Sequence, residues 1–212
     1  MRYALAGALV GVALGAGPAL AHPHVWITAR AEVAYAANGQ VTGVRHAWTF
    51  DEAYSAYVTQ GLDKNNDGKL TPDELADLAK VNTESLAEFD YFTIVKAGGV
   101  KQAFAGTAEP SMTFEEGKAT LRFLLPLKAP VSPKLVSLEV YDPTFFVSFN
   151  LADGDDAVKL AGAPRGCAAT ITRPKPIDAA QGQRLSEGFF EALTAASSFG
   201  AQFSNRALIV CP

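Results

Sequence analysis

Histidine, cysteine, methionine and tryptophan are all scarce in this 212-residue chain, with three, two, two and two copies. Three histidines leave little material for a Ser/His/Asp or Cys/His nucleophilic centre. Carboxylates such as Glu109, Glu139 and Asp142 are scattered, and they read as solvated faces or turns. Cys167 and Cys211 lack C-x-x-C spacing, which argues against a dithiol redox motif or a thiolate metal site. Eighteen Lys and Arg stand against 22 Asp and Glu, so the basic face that nucleic acid calls for is missing. After the first 21 residues no apolar run approaches the length of a membrane span, and no internal repeat is present. A binding protein is expected rather than an enzyme.

What is present begins with an export signal. Arg2 supplies a positive charge, Tyr3 to Gly17 is a short apolar run, and Pro18 precedes the small-residue triplet Ala19-Leu20-Ala21. This is the pattern of a cleaved signal peptide over residues 1–21. The expectation is a mature protein in a Gram-negative periplasm, with one α+β domain over residues 22–212. In that oxidising compartment Cys167 and Cys211 should pair. A loop of about 45 residues, closed in this way, stabilises a fold by about 4 kcal/mol in the chain-entropy treatment.

Periodicity outlines the domain. Val25 to Tyr35 and Val41 to Phe50 read as strands joined by the hairpin signal Asn38-Gly39. Tyr54, Tyr57, Val58 and Leu62 fall at helical spacing over Glu52 to Leu62. Thr71-Pro72-Asp73-Glu74 opens a second helix with a capping box. Strands are then expected at Tyr91–Lys96, Val100–Phe104, Ser111–Glu115, Lys118–Pro126, Leu135–Tyr141, Phe145–Asn150, Cys167–Thr172 and Ala207–Cys211. A helix is expected at Leu185–Phe199. The fold class is α+β: an antiparallel sheet or sandwich with an EF-hand-like helix–loop–helix inserted over residues 52–89 and a C-terminal helix.

The most specific local motif runs from Asp63 to Glu74 and matches D-x-[DN]-x-[DN]-G-x5-E at every fixed position. Calcium takes six to eight oxygen ligands. Asp63, Asn65 and Asp67 offer side-chain oxygens, Lys69 its carbonyl, Thr71 a hydroxyl or a bridging water, and Glu74 both carboxylate oxygens. Gly68 permits the sharp turn, and Leu70 is placed to dock the loop on the core. The plain alternative is an Asx-rich turn and a capping box, which accounts for Thr71 and Glu74 but not for Asp63, Asn65, Asp67 and Gly68 together. A lone loop of this kind suits a structural clamp better than a sensor.

A second candidate metal site lies at the expected new N-terminus, His22-Pro23-His24. Alternation along a strand puts His22, His24 and Trp26 on one face. Two imidazoles and the α-amine suit zinc, nickel, cobalt or copper. Pro23 has no amide hydrogen, so the square-planar chelate built on backbone amides is excluded. A two-residue hairpin turn sets Asp51 opposite Trp26 and His46 opposite Ala31, on the other face. Asp51 is therefore the candidate third ligand, unless it simply caps the helix that follows it. A copper oxygenase built on an N-terminal histidine brace is disfavoured, because His46 points away.

The segments His22-Pro23-His24-Val25-Trp26-Ile27, Trp48-Thr49-Phe50-Asp51, Glu74-Leu75, Asp90-Tyr91-Phe92-Thr93, Tyr141-Asp142-Pro143-Thr144-Phe145-Phe146 and Asn205-Arg206-Ala207-Leu208 resemble domain-of-unknown-function family 1007. Its members are described as exported periplasmic components of an uncharacterised ABC-type transport system, associated with nickel/cobalt or zinc permeases. The resemblance implies a metal-handling accessory protein that partners an inner-membrane metal permease or ABC-type transporter, and it supplies no catalytic residue. The remaining alternative is a calcium-stabilised β-rich interaction module with no transition metal.

Overall fold

The computed structural model describes residues 23–132, 134–174 and 199–212. Eleven strands among them form two sheets. β1 (Val25–Tyr35) and β2 (Val41–Phe50) are the predicted hairpin, followed by α1 (Glu52–Val58) and α2 (Pro72–Ser85). A 3-10 turn, Leu86–Phe92, leads to β3 (Thr93–Ala97), β4 (Val100–Lys101), β5 (Ala108–Glu115) and β6 (Lys118–Val131). Then come β7 (Leu135–Val140), β8 (Val147–Leu151), β9 (Val158–Ala161), β10 (Ala168–Thr172) and β11 (Asn205–Val210).

The first sheet runs β5-β6-β2-β1-β8, with β9 sharing the outer edge of β1; the second runs β10-β11-β7-β3-β4. The antiparallel expectation needs correction at that outer edge, because β8 and β9 both pair parallel to β1. Hairpins enforce antiparallel pairing. β8 instead arrives from β7 in the other sheet, so its direction is set by the crossing between layers. The strand β9 follows no pattern read from the sequence. The expected helix over Leu185–Phe199 lies outside the described residues except at its last position.

One core joins the sheets. On β1 the odd positions Val25, Ile27, Ala29, Ala31 and Val33 are buried and the even ones face outward. They pack with Trp48, Leu121 and Leu125 of the first sheet and with Val95, Leu138, Val140 and Ile209 of the second. Buried polar groups pin the layers. The side-chain amide of Asn205 donates to the Phe149 carbonyl at 2.6 Å and accepts from the Leu151 N–H at 3.1 Å. Cys167 and Cys211 form the expected disulfide.

The hairpin register agrees with prediction for a reason the sequence did not show. Ala36 donates to Gln40, which makes the turn three residues long rather than two. A bulge between Val41 and Gly43, with the Thr42 hydroxyl on the Ala34 carbonyl, then adds back the missing residue. The two shifts cancel, and Ala31 pairs with His46.

α1 is shorter than predicted. The Thr59 hydroxyl bonds back to the Ser55 carbonyl and Gly61 adopts a φ of +75°, so the helix ends at Val58. α2 keeps the predicted capping box, and it buries Leu75 and Ala79. Beyond α2 the chain does something unusual. Asp90, Tyr91 and Phe92 have φ of 50°, 57° and 47°, a left-handed turn without glycine. Such residues cost about 1–2 kcal/mol each.

Candidate functional site

The Asp63–Glu74 loop connects α1 to α2, and Leu62 and Leu70 seat it on the core. Its oxygens turn inward onto its own N–H groups. Asp63 accepts from Asp67 at 3.2 Å and from Gly68 at 2.9 Å. Asn65 Oδ1 accepts from Asp67 at 3.0 Å, and Asp67 accepts from Lys69 at 2.8 Å. Gly68 takes a φ of +77°, which folds the chain back at the sixth loop position. Glu74 reaches across the loop. One carboxylate oxygen accepts from the Lys64 N–H at 2.9 Å, and the other accepts from the Thr71 N–H and hydroxyl. Thr71's hydrogen bonds, then that of Lys64, hold the Glu74 carboxyl below its usual range.

Among the described residues no three His, Cys, Asp or Glu side chains converge as a ready cation cluster. The loop's donor set nonetheless fits a hard cation in chemistry. Each carboxylate or amide oxygen that accepts one N–H retains a further lone pair. Asn65, the Lys69 carbonyl and Thr71 add neutral oxygens of the kind calcium takes. The capping box also occupies the spacing of loop positions 9 and 12, so the cap and the ligand roles of Thr71 and Glu74 are compatible.

At the N-terminal site, His22 lies outside the described residues. His24 is exposed; its N–H donates to the Phe146 carbonyl at 2.9 Å and its ring lies 4.7 Å from the Phe146 ring. Asp51 does sit across from Trp26, but its carboxylate accepts from the Tyr54 N–H at 2.9 Å and from the Trp26 N–H at 3.0 Å. Asp51 therefore caps α1 and ties it to β1, which is the alternative role read from the sequence.

His46 faces the core, as the register required. The Thr93 hydroxyl donates to the Tyr91 carbonyl at 2.8 Å, so at 3.3 Å it accepts from His46 Nε2. The ring's Nδ1 has no partner. Burial lowers this imidazole from 6.5 to about 3.

One feature of the surface was not anticipated. An apolar groove of about 450 Å³ opens between β1, β2 and the Leu86–Phe92 turn. Val25, Trp48, Phe50, Phe92, Asp142 and Phe146 contribute to its wall. Each comes from a segment that carries the family resemblance, but those segments are far apart in sequence. In the sequence they read as parts of separate strands and turns, and no spacing rule points to a shared groove.

Fold and loop together define the class: a β-rich, two-sheet domain with a helical arm that carries an acidic loop. The chain belongs to the family described as protein of unknown function (DUF1007), which matches residues 7–211. It is 25% identical over 205 residues to an uncharacterized protein of Haemophilus influenzae, covering 96% of this chain and 97% of that one. It is 30% identical over 115 residues to an uncharacterized 15.5 kDa protein from the trpE 3' region of Spirochaeta aurantia, covering 53% of this chain and 81% of the other.

Proposed function

We propose that this protein is an exported, non-enzymatic metal-binding accessory of the periplasm, with a structural calcium ion in the Asp63–Glu74 loop. Its cargo is a divalent transition metal, zinc, nickel, cobalt or copper, taken at His22 and His24. It passes that metal to an inner-membrane permease or ABC-type transporter. The observation that best supports a metal-binding role is the loop itself. Asp63, Asn65, Asp67 and Glu74 all turn side-chain oxygens toward backbone N–H groups of the same loop, and calcium would gather those oxygens into its own ligand sphere. Calcium there would lock α1 to α2 and so fasten the helical arm to the sheet.

Titration of the mature protein with calcium tests the clamp. With a dissociation constant of about 0.1–1 mM, 10 mM calcium adds roughly 1.4–2.7 kcal/mol. That raises Tm by about 3–10 °C in a domain of this size. Glu74→Gln keeps the capping box and loses the ligand charge. An equal calcium-induced rise in that variant rejects the clamp. Zinc, nickel and copper titrated against the mature protein and a His22→Ala/His24→Ala variant test the cargo site, and equal affinities reject it. The second reading, a calcium-stabilised interaction module without transition metal, draws support from the commitment of Asp51 to capping.

A further inference from the structure

The apolar groove has no part in the metal reading. Its volume of about 450 Å³ lies in the range of small-molecule sites. Aromatic pairs build its wall. Phe89 and Phe92 stack with centroids 5.2 Å apart and planes at 14°, and Phe50 and Tyr54 pair at 4.8 Å. Trp48, buried at the inner wall, has an indole N–H with no acceptor.

Apart from that indole N–H, the carboxylate, amide and aliphatic hydroxyl groups of the wall are already engaged. Asp142 accepts from the Thr144 N–H and hydroxyl on one oxygen and from the Val147 N–H on the other. The Asn82 amide donates to the Leu78 carbonyl, and the Ser85 hydroxyl donates to the Val81 carbonyl. No Lys or Arg among the described residues lines the groove. An anionic ligand would shed its hydration with no cation in the wall to receive it, and the one carboxylate there, Asp142, repels it. Flat rings, by contrast, gain both buried area and stacking from such walls.

The backbone gives an independent indication. Asp90, Tyr91 and Phe92 on one side and Phe145 on the other hold positive φ without being glycine. Backbone strain of this kind gathers at ligand clamps. We propose that this groove is a binding site for a neutral, planar aromatic small molecule, held among the Phe50/Tyr54 and Phe89/Phe92 pairs and Trp48.

Two related probes test the proposal on the intact mature protein. N-phenyl-1-naphthylamine is neutral, and 1-anilinonaphthalene-8-sulfonate carries the same rings plus a sulfonate. The neutral probe should bind saturably with one site and at least tenfold more tightly than the sulfonate. In a Trp26→Phe background it should also take up excitation from Trp48. Ser85 and Phe89 are exposed at the groove, so Ser85→Trp and Phe89→Asp can be made without disturbing buried residues. Each should weaken the neutral probe at least tenfold while leaving the circular dichroism spectrum unchanged. Non-saturable binding, equal affinity for the sulfonate, or unchanged affinity in both variants overturns the proposal.

Discussion

Lowering the pH from 7.5 to 5.0 should destabilise this fold, and His46 should be the reason. In the folded protein its imidazole is buried between the sheets, and burial moves its pKa from 6.5 to about 3. The unfolded chain protonates near 6.5, whereas the folded one resists until about 3. Stability is thus full above 6.5 and falls as pH drops through the window between those values, because the unfolded state binds the extra proton. Each pH unit inside the window is worth about 1.4 kcal/mol. From pH 7.5 to 5.0 the loss is therefore about 2 kcal/mol. With a urea m-value of about 2 kcal/mol/M, the midpoint moves down by about 1 M. His46→Phe removes the titrating group and keeps the ring volume near that of the original. Its absolute stability will differ, since Thr93 loses its donor. Only the slope against pH matters, and other titrating groups are common to both proteins. Urea unfolding of both proteins at five pH values makes the comparison. If the two slopes agree, the buried neutral imidazole is not what the pH dependence reports, and the reasoning fails.

Other substitutions probe the contacts that hold the sites in place. Asp51→Ala removes the α1 cap and the Trp26 contact and should cost about 1 kcal/mol by chemical denaturation, near the usual value for a lost cap. Asn205→Ala leaves the buried Leu151 N–H and Phe149 carbonyl unpaired, and about 2–4 kcal/mol should be lost. A drop under 1 kcal/mol would show that water replaces the amide. Cys167→Ser/Cys211→Ser opens the closed loop, and the unfolding free energy should fall by about 4 kcal/mol. Calcium should raise Tm in the parent and in His46→Phe but not in Glu74→Gln.

The local features proved the most legible. The capping box at Thr71 and Glu74 is complete because both partners lie within one helical turn, and the second Glu74 oxygen is left to reach Lys64. The strands β1, β2 and β6 start where period-2 patterning places them, since one face of each meets the core. α1 fell short because apolar spacing continues to Leu62 while Gly61 has already turned the chain. β9 escaped notice because four residues of mixed polarity carry too little periodicity. The hairpin shows agreement reached by cancelling shifts, a longer turn against a bulge. The aromatic groove was invisible for a different reason: its wall joins residues that no spacing rule connects.

The linear chain by itself determined those properties that depend on near neighbours: the helix caps, the alternation of buried and outward residues along β1, and the pattern of oxygen donors from Asp63 to Glu74. Tertiary structure alone decided which separated segments meet. It set β8 and β9 parallel on the edge of β1, committed the Asp51 carboxylate to two backbone N–H groups, and enclosed His46 with Thr93. It also gathered Val25, Trp48, Phe92 and Phe146 around one groove. The physical reason is the range of the forces. Caps and alternation act over a few residues, whereas burial of apolar area is non-directional and rewards whichever distant surfaces the packed sheets bring together.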